Sequence, residues 1–250
     1  MYGPRFTHVV RPSRPIAGTV TDAKTGAAIE GARVSSFPGF SSVVTDASGR
    51  FTLRGCPKSD EYRLFAHPPV GECYLAGSRT TADVPGLDAL ETELHIYPAI
   101  PVTGLVTEQV SGRPVAAHVV YFPLYPNPHV VTGVGGSGVG AVGSFSEGYT
   151  NSEGTFSLAV LPGPGCLGVH AVGGEEFEPA QVDAVAFFEK ARVAYGRSDQ
   201  PEGKPRLFIC IGAGGWSAMP QSQFHGIALL NVADGATKLT QDIGLKSKTE

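Results

Sequence analysis

The chain has 250 residues, long enough for one large or two ordinary folded domains, and its 42% hydrophobic share excludes wholesale disorder. Its net charge of −4, with no block of five like charges, excludes the positive field that nucleic acid or an anionic lipid surface would require of a partner. With 33 glycines, 20 prolines and only 17% charged residues, the composition predicts many short strands joined by tight turns, an all-β protein.

Residues 1–14 read as an N-terminal extension, with charges and prolines where a signal peptide would carry its apolar region. No run of 18 apolar residues follows, so no direct membrane insertion is expected. A first strand pattern opens at Ile16-Ala17-Gly18-Thr19-Val20-Thr21-Asp22, turns at Thr25-Gly26 and returns through Gly31-Ala32-Arg33-Val34. Apolar residues alternate along it, as a half-buried sheet requires. Next comes Thr45-Asp46-Ala47-Ser48-Gly49-Arg50-Phe51-Thr52-Leu53. Asp46 supplies a short polar side chain to bond the backbone, and Gly49 a residue free to take positive φ, which together predict a tight turn. Tyr62–Ala66 and Leu90–Ile96 read as two further strands.

The pattern then starts again. Val102-Thr103-Gly104-Leu105-Val106-Thr107-Glu108, Ser111-Gly112 and Ala116-Ala117-His118-Val119 repeat the opening, and Thr150-Asn151-Ser152-Glu153-Gly154-Thr155-Phe156-Ser157-Leu158 repeats the nonapeptide, with Asn151 and Gly154 as its turn residues. Leu167–Ala171 answers Tyr62–Ala66, and Leu239–Leu245 answers Leu90–Ile96. The stiff link Pro98-Ala99-Ile100-Pro101 joins the copies. A repeat of this kind organises the whole chain into residues 15–97 and 98–250. Because a third copy would begin just past Glu250, the chain reads as trimmed from a longer array.

The pattern from Gly18 to Val34, followed by Thr45-Asp46 through Phe51-Thr52-Leu53, resembles the carboxypeptidase regulatory-like family. The resemblance covers residues 15–97 well, 101–172 with an insertion, and 173–250 by analogy with the end of the first copy. It implies Greek-key-like β-sandwiches of the transthyretin-like (prealbumin-like) fold, seven strands each, two in tandem here; the chain's own pattern adds long insertions and a short helix to the second. Such modules stand beside metallocarboxypeptidase domains and are strung along bacterial surface proteins, so the expected localisation is extracellular or cell envelope. No histidine is followed by Glu three residues on and His-Glu-x-x-His is missing, so the sequence offers no zinc peptidase motif. Tyr195-Gly196-Arg197-Ser198 has the wrong order and place for the terminal tetrapeptide of the transthyretin-like hydrolases. We therefore expect no enzyme and no cofactor. The expected role is a structural or binding segment, with an accessory pair for an enzyme domain elsewhere and a carbohydrate-binding module as alternatives. Neighbouring domains of a longer chain and a protein or glycan are the expected partners.

The second copy carries the features that could contact a ligand. Between Val119 and Thr150 it is about twenty residues longer than the first between Val34 and Thr45. That stretch includes Tyr121 and Tyr125, whose segment reads as a ligand surface or, the plainer reading, as an extended edge strand protected by prolines, and the glycine-rich run 133–140. The run contains a G-x-G-x-x-G, but no helix can follow it, and a hairpin tip is the better reading than a phosphate cradle. Residues 181–191 form a helix candidate, and Leu207–Ile211 and Ile227–Val232 read as buried strands. Trp216, in a glycine-rich loop, is a candidate sugar platform with His225 and Asp199 near it in sequence; a plug over the end of a sandwich is the plainer reading. Ser217, His225 and Asp234 lack the nucleophile elbow of a hydrolase, and Asp22 and Asp46 lack the dense oxygen spacing of a calcium loop. No two of the four cysteines have C-x-x-C spacing. Cys56–Cys73 and Cys166–Cys210 bridges are the economical pairing in an oxidising compartment, and buried free thiols are the alternative.

Overall fold

A computed structural model describes residues 12–38, 41–125, 127–130, 146–182, 206–210 and 216–248, with the backbone alone for 206–210 and 216–220. Contacts divide the chain into two compact units, residues 1–72 with 77–96, and residues 73–76 with 97–250. Eighteen strands and two 3-10 turns make up the regular structure of the described residues.

The first unit is built from β1 (Ser13–Asp22), β2 (Arg33–Phe37), β3 (Ser42–Val44), β4 (Arg50–Pro57), β5 (Glu61–His67), β7 (Gly77–Ala82) and most of β8 (Leu90–Pro98); the short β6 (Tyr74–Leu75) belongs to the second. One sheet runs β4-β1-β8 and the other β3-β2-β5-β7. Strand alternation decides which residues meet between them: Ile16, Val20, Val34, Phe51, Leu53, Tyr62, Leu64, Leu94 and Ile96 are buried, while Arg33, Arg50, Thr52 and Arg63 point outward. β1 is central, antiparallel to β4 and parallel to β8, with Ile16 opposite Leu90 and Asp22 opposite Ile96.

The second unit repeats this plan strand for strand. β9 (Ile100–Glu108) stands for β1, β10 (Ala117–Pro123) for β2, β11 (Ser146–Tyr149) for β3, β12 (Thr155–Val160) for β4 and β13 (Gly163–Ala171) for β5. A hairpin of β14 (Arg206–Cys210) and β15 (Trp216–Pro220) is additional. β16 (Gly226–Val232) takes the place of β7, and β17 (Leu239–Thr240) with β18 (Ile243–Leu245) that of β8. The sheets are accordingly β12-β9-β17, with β18 also on β9, and β11-β10-β13-β16. Leu239 pairs with Val102 and Ile243 with Val106, the register that Leu90 and Leu94 keep on β1. Residues beyond 173 therefore complete this sandwich: Phe177, Leu230, Val232, Ile243 and Leu245 share one core with Val102, Tyr121, Phe156 and Leu167. Leu75 from β6 joins that core, and β6 pairs with Tyr97 and Pro98.

Two glycines show why the repeat keeps them. A Cβ at Gly18 would collide with the Thr92 carbonyl, and one at Gly104 with the Gln241 carbonyl, so each first strand accepts its parallel neighbour only without a side chain there. Helix is confined, among the described residues, to the 3-10 turns Gly174–Glu176 and Gln221–Gln223. Of the helix candidate, Gln181 and Val182 are irregular and 183–191 lie outside the described residues, as do the glycine-rich run 133–140, Asp199 and Tyr195–Ser198.

Of the two cysteine readings the sequence leaves open, the free thiols are the ones found, with the Cys210 side chain outside the described residues. Cys56, Cys73 and Cys166 are free thiols. Cys56 lies buried against the Ser36 hydroxyl in the first unit, whereas Cys73 belongs to the second, where its carbonyl accepts from Ala99 N–H. Full burial pushes the Cys166 thiol up to about 12, which leaves it an apolar side chain rather than a reactive one.

Candidate functional site

The polar residues singled out by the repeat are occupied with their own backbone. Asp46 accepts hydrogen bonds from the Ser48 and Arg50 N–H groups, and Asn151 accepts from Glu153 and Thr155, with Gly49 at φ 72° and Gly154 at φ 75°. The Ser48 hydroxyl, followed by the Arg50 N–H, holds the Asp46 carboxyl below its ordinary range. Thr45 accepts from Ala32 N–H and donates to the Ile29 carbonyl, and Thr150 does the same for Ala117 and Val115. Asp22 caps the next turn through Lys24 and Thr25, and Glu108 caps its counterpart through Val110 and Ser111. The hydrogen bonds from Ser111 and Val110 lower the Glu108 carboxyl to about 2.

A second arrangement was not foreseen from the sequence. Arg14, 1% exposed, donates to Asp83 and to the carbonyls of Val84 and Asp88, and Lys58 reaches the other Asp83 oxygen at 2.6 Å. Lys58 first and Arg14 second hold the Asp83 carboxyl down. The cluster fastens the loop ahead of β8, since the Arg14 guanidinium donates to Asp83, Val84 and Asp88 of that loop.

The residues expected to meet a ligand fall in several places. Tyr121 is a correction: it is fully buried in the second core, its hydroxyl accepts from Leu161 N–H at 3.2 Å, and its ring lies over Gly165. Position parity on β10 explains this, because 117, 119 and 121 face the core. Tyr125 packs, partly buried, against the same core. His225 accepts from Ala171 N–H at 3.0 Å and packs against Phe177, with burial lowering its pKa and the Lys248 charge adding to the effect. The Trp216 backbone opens β15 opposite Cys210, and its side chain lies outside the described residues. Asp234 pairs with His129 at 2.9 Å, His225 with Ala171 N–H, and the Ser217 side chain lies outside the described residues.

What does gather is a row of rings on the outer face of the second sheet. β10 sets His118 opposite Tyr149 of β11 and His170 of β13. The His118 ring stacks on Tyr149 at 4.7 Å and lies 6.2 Å from His170, which in turn meets Phe224 at 4.6 Å. Phe224 lies flat over Gly168, where a Cβ would strike its ring. Tyr149, 72% exposed, ends the row at the sheet edge, and the Glu147 carboxylate stands 3.3 Å from His118 Nε2. Burial first, then the charges of His118 and His225, lower the His170 pKa. Phe224 is buried and Tyr149 exposed, so what the row presents at its open end is the Tyr149 ring and hydroxyl beside the Glu147 carboxylate. Its signal was present in His118, Tyr149 and His170, but only strand register brings them together.

Comparison with known proteins agrees with the first module. The carboxypeptidase regulatory-like domain model matches residues 15–71. No curated protein matches the sequence. Among solved structures, the Bacillus anthracis TIE protein is similar at 11% identity and TM-score 0.31, over 94% of this chain and 34% of that one. A streptococcal ancillary pilin (8%, TM-score 0.31) is covered to 63%, and the shaft pilin SpaA of Lactobacillus rhamnosus GG (8%, TM-score 0.32) to 99%, each over 95% of this chain. The chain thus spans about a third of the first of these structures and under two thirds of the second. At such TM-scores the architecture rests on the chain's own strand order. That order defines an all-β protein of two sandwiches, and residues 15–71 of the first are similar to the carboxypeptidase regulatory-like domain.

Proposed function

We propose that the chain is a pair of non-catalytic β-sandwich modules, serving as a structural and binding segment of a larger cell-envelope or extracellular protein. The observation that carries this reading is the doubled turn chemistry. The carboxylates and hydroxyls that a catalytic site would draw on, Asp22, Thr45 and Asp46 and their counterparts Glu108, Thr150 and Asn151, are bonded to the backbone of their own turns. The domain match at residues 15–71 supports it, since the matching family is regulatory-like. Of the described residues, none forms a helix long and apolar enough to cross a membrane. Protease shaving of intact producing cells, followed by peptide mass spectrometry, tests the assignment. Release of peptides from both modules by external protease supports it, and recovery only from the cytosolic fraction contradicts it. Co-purification with an enzyme whose rate changes when the chain is removed would favour the accessory role instead.

A glycan-binding reading is favoured by one observation, the exposed end of the Tyr149, His118, His170, Phe224 row. It moves the candidate surface from Tyr121 and Tyr125 to Tyr149. Glycan-array binding abolished by Tyr149→Ala, with an unchanged melting temperature, would support it; an array without any signal would sink it.

A further inference from the structure

In each sandwich the first and last strands are parallel neighbours, and that decides how the module meets tension. β1 and β8 pair at seven successive positions, Ile16 with Leu90 through Asp22 with Ile96, and Ala23 N–H adds a bond to the Ile96 carbonyl at 2.9 Å. Apart from residues 73–76, which belong to the second unit, the chain enters the module along β1 and leaves it along β8. Because the two run the same way, entry and exit lie at opposite ends of the pair. A pull on the chain therefore slides β1 and β8 past each other along their axes. Ladder bonds run across those axes, so a sliding load must break them together, whereas a load applied at adjacent ends opens them one after another. Forced unfolding is governed by the barrier to that rupture.

The second sandwich has the same device in a weaker form. β9 pairs with β17 at two positions and with β18 at three, the ladder breaking at Gln241 and Asp242. The break is patched: Gln241 N–H donates to the Thr103 carbonyl at 2.9 Å, and the Asp242 carboxylate accepts from Leu105 N–H at 2.9 Å in place of a backbone carbonyl. Gln109 N–H closes onto Leu245 as Ala23 closes onto Ile96.

We propose that each module is a load-bearing link, tension being carried by the β1 and β8 pair in the first and by β9 with β17 and β18 in the second, the first being the stronger. This rests on the structural reading above. It can fail separately, because force is read on the purified chain whatever its location in the cell.

Single-molecule force spectroscopy on the full chain, pulled from its two ends, is expected to give two steps. The weaker comes first, with a length gain of about 480 Å from residues 102–245, and the stronger follows with about 260 Å from residues 16–96, taking about 3.5 Å per extended residue less the folded strand length. Anchoring the first module instead through residues 13 and 89, at adjacent ends of β1 and β8, is expected to lower its rupture force several-fold. Asp242→Ala is expected to lower the force of the longer step and leave the shorter unchanged. Equal forces in the two pulling geometries would overturn the proposal, and that comparison stands even where Asp242→Ala unfolds the second module.

Discussion

The two modules share seven strands and one register, yet their outer faces differ. In the first, the outer face of the β2 and β5 pair carries Arg33, Ser35 and Phe37 with Arg63, Phe65 and His67. At the same places the second has His118, Val120 and Phe122 with Cys166, Gly168 and His170. Arg63 has given way to Cys166, Ser35 to Val120, and Phe65 to a glycine that makes room for Phe224. Val120, Phe122, Leu124, Cys166 and Phe224 form a second apolar cluster, with Ala180 and Val182 packed on it. An inserted segment can cover a sheet only if that sheet stops being polar, and here both changes occur together. The comparison teaches that the fold is held by the inner faces and turns, which the copies share, whereas the outer face is free to specialise.

If that is right, the largest single-residue effect confined to one module should come from the cover. Phe224→Ala is expected to destabilise the second module by about 3–5 kcal/mol, as for other fully buried aromatic truncations, with no effect on the first. Thermal unfolding followed by module-resolved hydrogen exchange would check it, and loss of protection in β1 to β5 would break the comparison. The shared turns should behave alike. Thr45→Val strands a buried N–H and carbonyl and Thr150→Val a part-buried pair, and each is expected to cost about 1–3 kcal/mol in its own module. Denaturant unfolding giving one a large cost and the other none would mean the equivalence is only topological.

The smallest effect is electrostatic. The folded Glu108 carboxyl lies near 2 against an ordinary value of 4.5, so the unfolded chain takes up the proton first on acidification. Its contribution is therefore full above pH 4.5 and is lost as pH falls towards 2. Glu108→Gln should lower second-module stability at neutral pH and flatten its dependence across that window, as read by urea titrations at several pH values.

Much of the inner construction was legible. Ile16–Asp22 and Val102–Glu108 announced their strands by alternation, and the two nonapeptides announced their turns by Asp46 and Asn151 set three residues before glycine. Leu239–Leu245 was readable as a closing strand because its apolar positions repeat those of Leu90–Ile96. β7 was not, since Gly77-Ser78-Arg79-Thr80-Thr81-Ala82 is a mostly exposed edge strand without apolar alternation. The site was less legible than the fold. Tyr121 read as a surface aromatic because the unbroken run Val119 to Leu124 hides which residues face which side; such a run marks a strand buried on both faces. The row from Tyr149 to Phe224 joins residues scattered over more than a hundred positions, and only register assembles it. Arg14 and Asp83 likewise meet only in the folded chain.

The central claim is that one construction is present twice, each closed by a parallel strand against a glycine. Hydrogen exchange with mass spectrometry on full-length Gly18→Ala and Gly104→Ala tests it most directly, because the added Cβ strikes the Thr92 carbonyl in one case and the Gln241 carbonyl in the other. Mirrored outcomes are expected: Gly18→Ala strips protection from β1, β4 and β8 and spares β9 to β13, and Gly104→Ala strips β9, β12, β17 and β18 and spares β1 to β5. Loss spread over both modules in either variant, or Gly104→Ala leaving 239–245 as protected as before, would contradict it.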